Sequence, residues 1–457
     1  MEKGNKDETF RYHVSKVEEE DDSLQEDPVL TNEDLVLGIR PEFLDIVDSG
    51  ALEGEIYGAM PTGMESTIKV RVDDFLLTGV NGVLGWVSGG KAAVPLLGWA
   101  LPVGISFYTF SAGGYLIDVY RGTVAPERSL LTFGTYLTMF PKLVSGPIAS
   151  YAQLQPEFGA RDVSLRQAVD GLKLFVFGMA LKILLANQLG GLWSDVTTIG
   201  FESLSTPLAW MAAFAYSFQL YFDFWGYSLM AIGIGRMLGF HLPENFRCPY
   251  LALSMTEFWR RWHISLSTWL RDYLYISLGG NRKGRIRTYF NLLVTMLLGG
   301  LWHGAAVRFI LWGALHGIAL ALHKLWLSVV PGSKATGAEM RWFWRIPGIF
   351  FTFNLVCFGW LMFRAESMKT VQLMLHQIFT NFNPSVIPQV LEGYAGIFLL
   401  VGIGYLLHML PDRCDRWAQR FVTSLPTVVQ VLLAACVIWL VMQVKSSDIQ
   451  PFIYFQF

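Results

Sequence analysis

Charged residues are scarce in this chain. Of its 457 residues, 16% are charged and 53% are hydrophobic, whereas ordinary soluble domains carry about 25% charged residues. Cysteine is scarcer still, and the four cysteines lack the short paired spacings of a disulfide framework or a zinc site: Cys248, Cys357, Cys414 and Cys436. The composition is therefore typical of a chain surrounded by lipid.

Several motifs that carry chemistry or targeting are also missing. The chain contains no G-x-x-x-x-G-K-[ST] phosphate loop, no serine nucleophile turn, no His-Glu-x-x-His zinc motif and no dinucleotide fingerprint. These absences argue against the nucleotide-hydrolysing, serine-hydrolase and metalloprotease classes. The acidic start lacks a basic stretch followed by an apolar core, so we expect no signal peptide.

Charge is divided unevenly along the chain. Residues 1–80 contain 20 acidic and seven basic residues, a net charge of −13, and the remainder contains 17 acidic and 28 basic residues, a net charge of +11. Such a division indicates two parts with different surroundings. Residues 1–30 have too little apolar surface to offset the entropy lost on ordering, which predicts a disordered acidic tail.

Residues 31–80 are predicted to form a small β unit. Apolar and charged residues alternate in the run STIKVRV, and the tripeptide at residues 61–63 indicates a turn. The runs LGIRPEFL and GEIYGAMPTGMESTIKVRV resemble the regulatory OB-like domain that ends sugar-importer ABC ATPases. A generic small β domain remains the alternative. Neither interpretation predicts a catalytic role for residues 31–80.

Apolar segments of spanning length dominate after a linker at residues 81–93. A spanning helix needs about 20 apolar residues. The segments that fit are residues 94–120, 130–149, 172–192, 207–234, 289–302, 309–330, 347–363, 393–410 and 428–444. We therefore expect seven to nine spans within residues 94–457. The nine Lys and Arg residues between 235 and 288 predict that this stretch lies on the cytoplasmic side.

Three of the eight histidines are candidates for chemistry, because His263, His303 and His316 lie in dense aromatic sequence. A histidine at membrane depth is costly unless it is paired or solvated, and imidazole suits general-base work near neutral pH. His303 and His316 are thirteen residues apart, about 220° around one ideal helix. They can line one cavity only if the helix breaks near Gly304. Two structural histidines that bond to neighbouring helices remain the alternative.

Two carboxylates, Asp118 and Asp223, lie in apolar sequence. Each could orient a histidine or pair with an arginine such as Arg121. A helix-end carboxylate in water is the alternative, and it is the preferred interpretation for Asp118.

Six long motifs occur in the order known from one family. They read LPVGISFYTFSAGGYLIDVYRG, FPKLVSGPI, FDFWGYSLMAIGIGRMLGF, LPENFRCPYLALSMTEFWRRWHISLSTWLRDYLYISLGGNR, LLGGLWHGAAVRFILWGALHG and PFIYFQF. Together they resemble the bacterial membrane-bound O-acyltransferases, and among these the alginate O-acetylase type. The resemblance covers residues 101–457.

The resemblance implies a mostly α, polytopic helical domain in the bacterial cytoplasmic membrane, preceded here by the β unit and the tail. It implies transfer of an acyl group, with acetyl expected, to hydroxyls of a cell-surface or exported polysaccharide. The expected donor is acetyl-CoA or an acyl carrier, and the expected partners are membrane lipid and an accessory extracytoplasmic acetyltransferase. We expect no bound cofactor, no metal and no nucleic acid.

The resemblance also assigns residues. His303, in the Trp-His-Gly motif, and His263, in the FWRRWHISLS motif, are both expected to be catalytic. His263 is expected to line the reaction path on the donor side. Four further residues are expected on the substrate path or supporting it: His316, Asp223, Trp302 and Arg261.

One departure from the family leaves two alternatives open. Members usually begin with about three further spanning helices, where this chain has the acidic β unit. An inactive truncated or chimeric acyltransferase is therefore one alternative. A non-enzymatic transport component is the other, since transporters also place ionisable groups at mid-membrane. The ordered motifs and the lack of inverted repeats argue against the transporter.

Overall fold

The computed structural model describes residues 104–159, 161, 163–304, 306–330, 342–409, 421–422 and 424–443, together with five short strands before residue 72. The chain divides into two compact units, Met1–Pro102 and Val103–Phe457. The linker predicted for residues 81–93, most of the acidic tail and the motif PFIYFQF lie outside the described residues.

The first unit contains two antiparallel sheets. Strands β1 (Arg11–Val14), β2 (Leu44–Val47) and β3 (Leu52–Glu53) form one sheet, with β1 in the middle. Strands β4 (Glu55–Thr62) and β5 (Glu65–Arg71) form a hairpin that reverses next to the predicted turn. The domain boundaries and the OB-like likeness of this unit stay predictions.

The second unit is built from helices throughout its described residues, which confirms the predicted helical class. The helices are α1 (Ile105–Tyr120), α2 (Leu130–Thr138), α3 (Phe140–Leu143), α4 (Tyr151–Gly159), α5 (Leu165–Ala180), α6 (Asn187–Ile199), α7 (Thr206–Met237), α8 (Met255–Trp259), α9 (Ile264–Trp269), α10 (Arg285–His303), α11 (Val307–Val329), α12 (Trp342–Arg364), α13 (Met368–Thr380), α14 (Ile387–Gly393), α15 (Ala395–Met409) and α16 (Thr427–Gln443). Wider π-helical turns join α5 to α6 at Leu181–Ala186 and extend α9 at Leu270–Tyr275.

Two of the described helices are long and apolar enough to cross a membrane on their own: Val307–Val329 and Arg345–Arg364. The pair Pro384–Gly393 and Ala395–Leu406, bent by 83°, supplies a third if it counts as one span. The sequence predicts seven to nine spans, and most of those segments fold into shorter, interrupted or less apolar helices. The number of spans beyond these stays a prediction.

Helix α7 is the centre of the packing, and α5 crosses it at very short range. A Cβ atom at Gly178 would lie 2.4 Å from the carbonyl oxygen of Gly226, and one at Gly226 would lie 2.6 Å from that of Gly178. Glycine is needed at both positions because the two backbones touch, as is common between helices in membranes.

Helices α10 and α11 form a hairpin that is packed in the same way. A Cβ atom at Gly300 would lie 2.2 Å from the carbonyl oxygen of Phe309, and one at Gly313 would lie 2.4 Å from that of Met296. The close approach sets the end of α10, which carries His303, against the first two turns of α11.

Candidate functional site

His303 is the last residue of α10, and the helix ends there because of the residue that follows. Gly304 adopts φ +153°, a conformation that side-chain-bearing residues rarely take, and a Cβ atom there would lie 2.7 Å from the ring of Phe309. The break expected near Gly304 is therefore present. The His303 imidazole lies among aromatic rings, with centroid distances of 4.9 Å to Phe363 and 5.3 Å to Trp312.

His263 reaches the same region from the loop before α9. Its backbone is left-handed, with φ +43°, and its side chain is 1% exposed. The imidazole meets the ring of Phe224 edge-on at 4.7 Å, and Nδ1 lies 3.1 Å from Oδ1 of Asn245. Left-handed backbone in a bulky residue is strained and is retained where the surroundings hold it firmly.

The two histidines line one narrow cavity, which has room for about one water molecule. Six helices and one loop form its wall. Apart from the two histidines, the lining residues are apolar or aromatic: Leu220, Trp259, Trp262, His263, Leu266, His303, Trp312, Trp360 and Phe363. Among these lining residues, the imidazoles are the groups that can exchange a proton near neutral pH. The wall is thus a water-poor surface with two proton-exchanging groups.

His316 lies behind the wall of the cavity. It is 1% exposed, one turn after Trp312 on α11, and its ring centroid lies 4.7 Å from that of Trp312 and 5.3 Å from that of Trp259. Gly359 on α12 makes room for it, since a Cβ atom there would lie 3.0 Å from Nε2 of His316. His316 therefore supports two of the tryptophans that face the cavity.

Trp302 and Arg261 have other neighbours. Trp302 precedes His303 and packs against Phe110 of α1, with ring centroids 5.1 Å apart. Arg261 donates hydrogen bonds from Nη2 to Oε1 of Glu257 at 2.6 Å and from Nη1 to the carbonyl of Cys248 at 3.4 Å. Neither residue is among those that line the cavity, and the roles expected of both stay predictions.

The two carboxylates singled out in the sequence, Asp223 and Asp118, each have a polar partner. Asp223 is buried on α7 and forms an ion pair with Lys182 of the π-helical turn. Asp118 accepts a hydrogen bond from the hydroxyl of Tyr273 at 2.7 Å. Arg121 donates to the carbonyl of Asp272 instead of to Asp118. The structure gives Asp223 a cation as partner, where the sequence suggested a histidine or an arginine.

Asn245, the hydrogen-bond partner of His263, was not predicted from the sequence. Trp360 and Phe363 of α12, whose aromatic rings line the cavity, were not predicted either. Asn245 is the one polar residue without charge in the run LPENF. Its polarity alone does not show that it contacts His263, which lies 18 residues later in the sequence.

Comparison with known proteins shows what the chain is related to. The sequence pattern of the membrane-bound O-acyltransferase family matches residues 127–365. The chain belongs to this family. Every residue that lines the cavity falls within the matched part, so the cavity belongs to the region that defines the membership.

The relatives in this family act on several polymers, as their names state. The chain is 47% identical over 281 residues to a probable alginate O-acetylase of Pseudomonas fluorescens, which is 61% of this chain and 54% of that protein. It is 40% identical to a probable alginate O-acetylase of Pseudomonas putida, covering 78% of this chain and 75% of that protein. It is 36% identical to a peptidoglycan O-acetyltransferase of Helicobacter pylori, covering 67% and 60%. The chain thus spans about half the length of the Pseudomonas fluorescens protein.

Proposed function

We propose that this protein is a membrane-bound O-acyltransferase that transfers an acyl group, acetyl in our proposal, to hydroxyl groups of a cell-surface or exported polysaccharide. The observation that carries the proposal is the meeting of His263 and His303 on one aromatic cavity within the family-matched region. The names of the relatives, two of which are alginate O-acetylases and one a peptidoglycan O-acetyltransferase, support the acetyl group and a polysaccharide acceptor.

The chemistry needs one proton to move from oxygen to sulfur. The acceptor hydroxyl attacks the carbonyl carbon of an acyl thioester, its proton passes to the imidazole of His303, and a carbon–oxygen bond forms. The carbon–sulfur bond then breaks, and the leaving thiolate takes up the proton. A positioned base typically contributes about 10²–10⁴-fold to such a rate. We place His263 on the donor side of the cavity, next to the leaving thiolate.

The aromatic wall has its own part in this scheme. Indole and phenyl rings exclude bulk water, which would otherwise hydrolyse the acyl group. Exclusion of water also strengthens each electrostatic contact within the cavity. Trp312 and Trp360 contribute to this role, because they line the cavity and their rings pack nearly parallel with centroids 5.8 Å apart.

The donor, the location and the partner are parts of the same proposal. The donor is acetyl-CoA or an acyl carrier, which the protein uses as a substrate. The chain lies in the bacterial cytoplasmic membrane with several spans, and its basic residues between 235 and 288 face the cytoplasm. An accessory extracytoplasmic acetyltransferase completes the transfer to the polysaccharide.

A gene-deletion experiment tests the function. Exported and cell-wall polysaccharides are isolated from the wild-type strain, the deletion strain and the deletion strain that carries the gene on a plasmid. We expect alkali-labile acetyl to fall in one polysaccharide fraction on deletion and to return on complementation. Unchanged acetyl content in every fraction would contradict the proposal.

A further inference from the structure

Asn245 holds His263 through a buried hydrogen-bond network. Its Oδ1 atom lies 3.1 Å from Nδ1 of His263, and it accepts hydrogen bonds from the backbone N–H of Ser265 at 3.3 Å and from the Ser265 hydroxyl at 2.9 Å. Its Nδ2 atom donates to the hydroxyl of Ser228 at 3.0 Å. Asn245, Ser228 and His263 are each 1% exposed, so solvent does not supply alternative partners.

This network determines which nitrogen of His263 carries the proton. A backbone N–H can only donate, so the Asn245 atom that faces Ser265 must be the oxygen. The same oxygen faces Nδ1 of His263, and an oxygen of an amide can only accept. Nδ1 therefore carries the hydrogen, and in the neutral ring Nε2 carries the lone pair. Among the described residues, Nε2 of His263 has no hydrogen-bond partner.

We propose that Asn245 is a positioning residue of the acyl transfer: it fixes the His263 tautomer whose Nε2 lone pair takes up the proton that His303 removes from the acceptor hydroxyl. The proposal rests on the proposed function. In this tautomer, neutral His263 cannot protonate a thiolate through Nε2. It can do so only after Nε2 has received a proton, and that proton is the one released by the hydroxyl. The proton leaves oxygen, passes through His303 and His263, and ends on sulfur.

Two observations support a relay between the histidines. Both rings border the same small cavity, whose volume is enough for about one water molecule. The partner of Nδ1 is also a neutral amide and not a carboxylate. A neutral partner orients the ring without stabilising the imidazolium strongly, so His263 can release the proton again. Removal of the partners that orient metal-ligating histidines typically costs about 10–100-fold in activity, and we expect a loss of similar size for His263.

Kinetics of two substitutions test the positioning role in the full-length chain in detergent or lipid, with acetyl-CoA as donor. Asn245→Leu removes the acceptor at similar volume, and we expect kcat to fall about 10–100-fold with little change in KM for the donor. Asn245→Asp keeps the acceptor and adds a charge that stabilises the imidazolium. We expect the acid limb of its pH–rate profile to move to higher pH, with activity retained above that limb.

Asn291→Leu is the matched control. Asn291 is also a fully buried asparagine, but its Nδ2 atom donates to the backbone carbonyls of Leu278 and Gly280. We expect this variant to lower the yield of folded protein and to leave the pH–rate profile of the folded protein unchanged. A pH–rate profile for Asn245→Asp that matches the wild type would overturn the positioning role.

Direct measurement of the His263 tautomer tests this proposal independently of the proposed function. The ¹⁵N spectrum of histidine-labelled protein distinguishes protonated from unprotonated ring nitrogens, and the His263→Gln variant assigns the signal. We expect Nδ1 protonated and Nε2 unprotonated in the wild type. A protonated Nε2 in active wild-type protein would overturn the proposal. If the expected tautomer is present and the wild type transfers no acyl group, the proposed function fails and the placement of His263 by Asn245 stands.

Discussion

The histidines of the second unit have different neighbours. These neighbours predict how much each histidine contributes to acyl transfer. His263 and His303 line the cavity, His316 packs behind Trp312, and His323 lies two turns further along α11 with Nδ1 at 2.8 Å from the hydroxyl of Thr256. In our proposal the substrate reacts in the cavity, so only a residue that lines the cavity exchanges a proton with it. A residue behind the wall acts by holding a tryptophan in place.

Substitution of His316 tests this ranking. We expect His316→Ala to lower acyl transfer by less than the loss of His303 does, because it removes the packing behind Trp312 and Trp259 and leaves both cavity histidines in place. His323→Ala should change transfer very little. The measurement is acetyl content of the polysaccharide in cells with equal levels of each variant. An effect of His323→Ala larger than that of His316→Ala would contradict the ranking.

Sequence motifs predicted the two cavity histidines, but they did not predict the partners of polar groups. The Trp-His-Gly and Phe-Trp-Arg-Arg-Trp-His motifs led directly to His303 and His263, whose chemical roles stay predictions. The pairing of Asp223 with Lys182 joins α7 to the turn after α5. The hydrogen bond between Asn245 and His263 joins two residues that are 18 positions apart in the sequence. Contacts of this kind depend on how helices are placed in space, which spacing along one chain does not encode.

Helix boundaries were harder to predict than the presence of helices. The sequence predicted one segment at residues 130–149, but the structure divides it into α2 and α3, with Pro141 in the first turn of α3. Proline lacks a backbone N–H and fits best in the first turn of a helix. The predicted segment 172–192 is instead continuous through a π-helical turn at Leu181–Ala186, with no breaker that periodicity could detect.

The contact between α5 and α7 gives a prediction about helix packing. Gly178→Ala would place a methyl group 2.4 Å from the carbonyl oxygen of Gly226, so the two backbones must separate. Such overpacking typically costs about 1–3 kcal/mol. We expect a lower midpoint of thermal unfolding in detergent for this variant.

Gly191→Ala provides the control for that experiment. Gly191 lies on α6, and a Cβ atom there would meet nothing within 4 Å. Alanine also favours a helix by up to about 1 kcal/mol over glycine. The midpoint should stay the same or rise for Gly191→Ala, and an equal fall in both variants would show that the contact with α7 is not the cause.

The loop between α1 and α2 carries a pH-dependent contact. The hydroxyl of Tyr151 donates to Oε2 of Glu127, and the backbone N–H of Ser129 donates to Oε1 at 2.7 Å. The Tyr151 hydrogen bond, helped by that from Ser129, lowers the pKa of Glu127 below its ordinary value of 4.5. Because the folded-state pKa is the lower one, the ionised carboxylate stabilises the fold above pH 4.5, and the contribution is lost as the pH falls below it.

Substitution of Glu127 tests whether its ionised carboxylate stabilises the fold. We expect Glu127→Gln to lower the thermal midpoint at pH 7, and the gap between variant and wild type to narrow as the pH falls below 4.5. Thermal unfolding in one detergent over this pH range is the measurement. A gap that widens towards low pH would mean that Glu127 is not stabilised as a carboxylate.

The charge of the chain predicted an acidic beginning and a basic helical remainder. The structure confirms the helical class of the second unit, and the predicted domain bounds stay predictions. Membership of a membrane-embedded family and the two apolar helices of spanning length predict firm insertion. We expect the chain to stay in the membrane pellet after carbonate extraction, also when residues 1–80 are deleted. Release into the soluble fraction would contradict the membrane assignment.

The most direct test of the account is the loss of the His303 imidazole. Deletion cells that express the wild-type chain, His303→Ala or His323→Ala at equal membrane levels are fed labelled acetate, and alkali-labile label in the exported polysaccharide is counted. A base of this kind contributes about 10²–10⁴-fold. We expect His303→Ala to reduce the label to the level of the deletion strain and His323→Ala to retain the wild-type level. Label at the wild-type level with His303→Ala would contradict the account.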